Sequence, residues 1–227
     1  MTASDSRAEH QPTSRGLAPS ERALVLVGFG LAGPVAAGGL PPLQAVAQRL
    51  ATLLAVPTQR LSPLSDPNAA LTALRAAADG KAADGETADG EVAAIEVLAA
   101  APRGSNGPGG LVALEMDPGL ALPVGGSWVE ALGAWRQPCV LVIGADQLAC
   151  GWPAAGTALL QRWGVPLLGL VQWGGAWDRA ARRGDGLPWL GIAAGVGRGG
   201  DGGDGGAEPE AALAAVLALR WQLLDLG

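Results

Sequence analysis

With 227 residues, 49% of them hydrophobic, 36 glycines, 17 prolines and a formal net charge of −6, the chain is long enough for one α/β domain with a sizeable core. Its one lysine, Lys81, and its scattered arginines form no basic stripe, which argues against general nucleic-acid binding, where clustered cations neutralise phosphates. Cys139 and Cys150 are too few for a disulfide framework, and neither a signal-type segment nor a bilayer-length apolar run is visible, so a cytoplasmic, non-membrane protein with reduced core cysteines is expected.

Residues 1–20 are polar, contain the sole histidine, His10, and are expected to form a disordered tail ahead of a single domain over 21–227. Arg22 to Phe29 reads as a buried strand. Pro41 to Leu54 reads as a helix, because Leu43, Val46, Ala47, Leu50 and Leu54 share one apolar face and prolines suit a helix start. Leu71 to Ala78 favours helix, and the Asp-Gly pairs at 79–80, 84–85 and 89–90 then predict a flexible segment over 79–91. Glu91 to Ala100 is a candidate strand, followed by a second flexible segment over 102–110.

Leu111 to Leu114, Cys139 to Ile143 and Val165 to Val171 are short apolar runs of the kind that form central strands. Ser127 and Glu130 have the spacing of a capping box, opening a helix between the first two runs. Trp152 to Trp163 predicts another helix, stopped by Gly164. Leu187 to Ile192 predicts a late strand and Glu208 to Leu224 a terminal helix, with a glycine-rich flexible segment over 195–208. The alternation predicts a mostly parallel sheet with helices on both faces, a three-layer sandwich whose ligands meet the carboxyl ends of the strands.

Those ends are Gly28 to Gly33, Glu115 to Gly119, Gly144 to Gln147 and Gln172 to Gly175, and three groups of candidate residues fall at or beside them. Gly28, Gly30 and Gly33 lie in GFGLAG directly after the first strand, where backbone amides can cradle an anion. A phosphate loop of the GxxxxGK[ST] type would add a lysine for the phosphates and a hydroxyl for magnesium, and Pro34-Val35-Ala36 supplies neither. Read as GxGxxG, the same loop lacks both a continuous helix and an acid about twenty residues on. Glu115 and Asp117 follow an apolar strand and are the candidate metal or ligand pair, with turn formation as the plainer role. Gln172, Trp173 and Trp177 are the candidate ligand or partner surface within a chain of eight tryptophans, most of which are expected to fill the core.

Residues 111–175 resemble the dethiobiotin synthetase branch of the P-loop NTPases. LVALEMDPGLALPV is similar to that family's strand, acidic position, glycine turn and Leu-x-x-Pro ending, with Glu115 at the acidic position. CVLVIGADQLACGWPAAGTALLQRWGVPLLGLVQWGG is similar to its next strand, helix and strand, including Gly164-Val165-Pro166 and Gly169. The resemblance implies a P-loop NTPase-like fold and, for an active member, magnesium and ATP with Glu115 positioning the metal. The chain departs where the family has Gly-Lys-Thr or Gly-Lys-Ser in its first loop and an asparagine for the base, here Trp173. The resulting expectation is a catalytically inactive or noncanonical relative that binds a small molecule or protein, with a homodimer as a compatible assembly. A magnesium- and ATP-dependent carboxylate-activating or carboxylating enzyme, using Arg179, Arg182 or Arg183 in place of the lysine, is the first alternative. A structural assembly protein with a tryptophan-rich surface is the second.

Overall fold

A computed structural model describes residues 22–31, 42–61, 66–78, 95–97, 109–193 and 207–224. The expected tail and most of the three expected flexible segments lie outside them. Where segment 102–110 re-enters, Gly109 and Gly110 are buried, and a Cβ on Gly109 would stand 2.2 Å from the Arg22 carbonyl carbon. The end of that segment is therefore a packed strand approach, and helix has already begun at Ala207, inside segment 195–208.

Among the described residues, seven strands form one sheet: β1 (Leu24–Val27), β2 (Thr58–Leu61), β3 (Ile95–Val97), β4 (Leu111–Leu114), β5 (Cys139–Gly144), β6 (Leu167–Trp173) and β7 (Trp189–Ala193). Their spatial order is β3-β2-β4-β1-β5-β6-β7, with six strands parallel and β3 antiparallel at the edge. β1 is central and buried along its whole length, which is why its sequence is continuously apolar rather than alternating.

The helices are α1 (Pro42–Leu54), α2 (Pro67–Ala78), α3 (Trp128–Ala134), α4 (Trp152–Arg162), α5 (Arg179–Gly184) and α6 (Ala207–Leu223). Successive residues of each strand point to opposite faces and build two cores. On one face, Leu24, Leu26, Val140 and Val142 meet Val46 and Leu50 of α1 and Leu213, Leu217 and Trp221 of α6. On the other, Val25, Val27 and Leu141 meet Leu71 of α2, Trp128 and Leu132 of α3, and Leu160 of α4. The expected three-layer α/β sandwich is thus observed.

Both halves of the Ser127 capping box form: Ser127 Oγ accepts from Glu130 N at 3.4 Å, and the Glu130 carboxylate accepts from Ser127 N at 3.0 Å. α5 was not anticipated, since RAARRG carries no apolar face; Asp178 caps it by accepting from Ala181 N at 3.0 Å, and none of its residues is buried.

The cysteines divide, contrary to the expectation of two core thiols. Cys139 is buried in β5, and burial pushes its thiol pKa up because a thiolate there would lose hydration; Cys150 is exposed in the turn before α4. A disulfide-exchange reagent is expected to label one thiol in the native protein and two in denaturant. Since the folded pKa is raised, folding stability is intact below the unfolded thiol's value of 9.0 and falls as pH rises beyond it. Two equally reactive native thiols would contradict this placement.

Candidate functional site

β1 and β4 are neighbours, yet the chain leaves β1 for α1 on one face and leaves β4 for α3 on the other. Parallel strands that diverge in this way open a crevice between their outgoing loops. The first loop brings Gly28, Phe29, Gly30 and Leu31 to it; the second brings Glu115, Met116 and Asp117. Gly33 lies outside the described residues.

The start of the first loop is held from the side by β5. Gln147, in a 3-10 turn after that strand, donates from Nε2 to the Phe29 carbonyl at 2.6 Å and accepts from Gly144 N at 2.9 Å through Oε1. The Phe29 ring stacks on Trp152 with 6.4 Å between centroids and planes 9° apart. Gly30 then adopts φ +63°, a left-handed turn that a side chain would strain. Gln147 closes the strand-end segment Gly144 to Gln147 expected from the sequence, and the structure adds its role: it ties the end of β5 to the first loop.

Glu115 stands one residue beyond β4, on the face that carries α1, and its side chain is only 6% exposed. It forms an ion pair with Arg60 of β2, whose side chain is 36% exposed and so reaches both the carboxylate and solvent. The register explains the meeting: Arg60 lies opposite Ala113, on the same face of the pleat as Glu115. β2 (TQRL) was not anticipated as a strand, and Arg60 was not anticipated as a site residue. Only one carboxylate oxygen is satisfied, because Oε1 is buried without any partner.

Asp117 is otherwise engaged. Its Oδ1 accepts from Gly119 N at 2.8 Å, closing an Asx turn that shapes the second loop. The structure therefore brings Glu115 to the crevice beside a cation and gives Asp117 the turn-forming role. The fit to magnesium is poor: a hard dication seeks several oxygen ligands, whereas a guanidinium already neutralises this carboxylate. Among the described residues, no cluster of three or more histidine, cysteine or acidic side chains could hold a metal.

The remaining candidates lie elsewhere on the sheet. Gln172, at the end of β6, is fully buried and donates from Nε2 to the carbonyls of Gly174 (2.8 Å) and Ala176 (3.0 Å), organising its own loop. Its Oε1 is buried without a partner. Trp173 is half-buried against the α1/α6 core, while Trp177 meets Trp189 edge-on at 6.1 Å. Arg182, one of the arginines considered as a lysine substitute, lies 5.0 Å from the Trp189 ring centroid and 3.4 Å from Asp185. Of the eight tryptophans, Trp128 and Trp221 are fully buried, and Trp152 and Trp163 are exposed.

Among the described residues no helix is long and apolar enough to cross a membrane. No protein-family model matches the chain, and no curated protein matches it.

Proposed function

We propose that this chain is a noncanonical, catalytically inactive relative of the dethiobiotin synthetase branch, and that it recognises a small ligand at the crevice between β1 and β4. The observation that carries this reading is the Arg60–Glu115 pair, with one Glu115 oxygen buried and unpartnered. A buried acceptor left without a donor costs roughly 1–3 kcal/mol, which a ligand hydroxyl or N–H would recover on binding. Arg60 offers its remaining N–H groups to an acceptor on the same ligand. Small hydroxy- or amino-carboxylates have this paired chemistry. Phosphoryl transfer is not part of the proposal: no lysine follows the first loop, Glu115 is paired with Arg60, and Trp173 stands where the family has its base-reading asparagine.

Calorimetric titration with ATP, with and without magnesium, is expected to give no magnesium-dependent binding and no hydrolysis. Saturable magnesium-dependent binding lost in Glu115→Ala would instead favour the ATP-dependent enzyme. A thermal-shift panel of hydroxy- and amino-carboxylates supplies the positive test. A ligand at a hundred times its Kd should raise Tm by roughly 5–10 °C for a chain of this size. The shift should vanish in Glu115→Ala, and a shift that survives that substitution would refute recognition at this crevice.

A further inference from the structure

Glu115 presents its two oxygens unequally. Oε2 is the oxygen paired with Arg60, while Oε1 is buried and has no hydrogen-bond partner. The guanidinium is more open than the carboxylate, so Arg60 holds Glu115 on one side and reaches water on the other. A ligand that bridges the pair therefore meets a dry acceptor at Oε1 and a wet donor at Arg60. The register that sets Leu26 beside Ala113 sets Gly28 level with Glu115, two positions on and on the same face of the sheet. A Cβ on Gly28 would run into the Leu31 side chain and stand 3.4 Å from Leu43 Cδ2, so the described side chains against Gly28 on that face are hydrocarbon. Gln44, in the first turn of α1, is buried and uncharged, and the next carboxylate along the second loop, Asp117, is engaged by Gly119 N.

We infer, resting on the crevice reading above, that of the hydroxy- and amino-carboxylates this site selects the hydroxy acids: the ligand hydroxyl donates to Glu115 Oε1, and the ligand carboxylate accepts from Arg60. Charge and donor count decide between the two classes. The guanidinium already neutralises Glu115, so an ammonium at Oε1 meets attraction and repulsion of similar size. What remains is the cost of stripping water from a full charge, together with two N–H donors that hydrocarbon neighbours cannot satisfy. A hydroxyl carries no net charge and has a single donor, which Oε1 matches one to one. The ligand carboxylate escapes the same penalty, because Arg60 meets it on the solvent side, where its outer oxygen stays hydrated.

The carboxylate panel, arranged as matched triads that differ in one group, reads this preference directly: lactate, alanine and propionate; malate, aspartate and succinate; phenyllactate, phenylalanine and phenylpropionate. Calorimetry on the unaltered protein at neutral pH should place the hydroxy member first in a triad that binds. The amino member should be weaker by about tenfold or more, and the deoxy member, which leaves Oε1 unpartnered, weaker as well. Arg60→Gln removes the cation and should narrow the hydroxyl-over-ammonium ratio by about tenfold or reverse it, with a circular-dichroism melt confirming a folded variant. Arg60→Lys keeps the cation and should keep the preference.

An amino or deoxy member that binds as tightly as its hydroxy partner, with binding lost in Glu115→Ala, would overturn the selection of hydroxy acids and leave the crevice reading standing. A hydroxyl-over-ammonium ratio unchanged in folded Arg60→Gln would overturn that selection too. Binding that survives Glu115→Ala, or no binding by any triad, would overturn the crevice reading and the selection with it.

Discussion

Trp221→Ala is expected to lower the free energy of unfolding by about 3–5 kcal/mol. Trp221 is fully buried where α6 closes over the start of β1, and its Nε1 donates to the Arg22 carbonyl at 2.8 Å. Truncation leaves a cavity in the α1/α6 core and strips that carbonyl of its donor. Trp128 is equally buried in the opposite core, but its Nε1 has no partner. Phenylalanine should therefore discriminate the two sites. Trp128→Phe relieves an unpaired buried N–H, whereas Trp221→Phe breaks a formed bond, so the second should cost on the order of 1–2 kcal/mol more. Urea unfolding of both variants measures the difference, and equal midpoints would show that hydrogen bonding does not separate these residues.

Gly133→Ala should also destabilise the fold, against what helix propensity alone predicts. In the interior of a helix alanine is favoured over glycine by about 1 kcal/mol. In α3, however, a Cβ at position 133 would stand 1.9 Å from the Trp163 carbonyl oxygen, so the collision is with backbone and no side-chain rotation relieves it. The expected loss is at or above the upper end of the roughly 1–3 kcal/mol typical of overpacking, because α3 and the α4 terminus must separate. Gly184→Ala is the matched control, since nothing lies within 4 Å of its added Cβ, and there propensity should act unopposed. A thermal melt in which Gly133→Ala equals or exceeds the parent protein would show that the α3–α4 contact yields easily.

The parts of the fold legible in the sequence were those in which a local pattern has one physical outcome. Leu111–Leu114 and Cys139–Gly144 are wholly apolar because both of their sheet faces are covered, and Ser127 with Glu130 announces a helix start through chemistry that acts over four residues. β2 was illegible for the opposite reason. Gln59 and Arg60 are half its length, and Arg60 is tolerated in an inner strand through Glu115, more than fifty positions later in the chain. α6 was recognisable as a helix, but with apolar residues all round, no periodicity indicates which side is buried. Cys150 had the composition of a core residue and lies in an exposed turn. At the candidate site, Glu115 and the glycine loop could be placed at strand ends from topology, whereas Arg60 and Gln147 gain their roles from contacts between distant segments.

The position of β1 carries a consequence for synthesis. Among the described strands it is the first made, and its partners are the fourth and fifth: Leu24 pairs with Leu111, and Val25 with Cys139. At ribosomal rates of about 5–20 residues per second, the most apolar strand of the sheet waits several seconds for its first neighbour and longer for its second. During that interval α1 is the only described helix of its own face that has been made, since α6 comes last. A nascent chain in this state exposes LVLV to any passing β edge, so chaperone demand and aggregation during expression should depend on elongation speed between residues 28 and 111 more than on the stability of the finished protein.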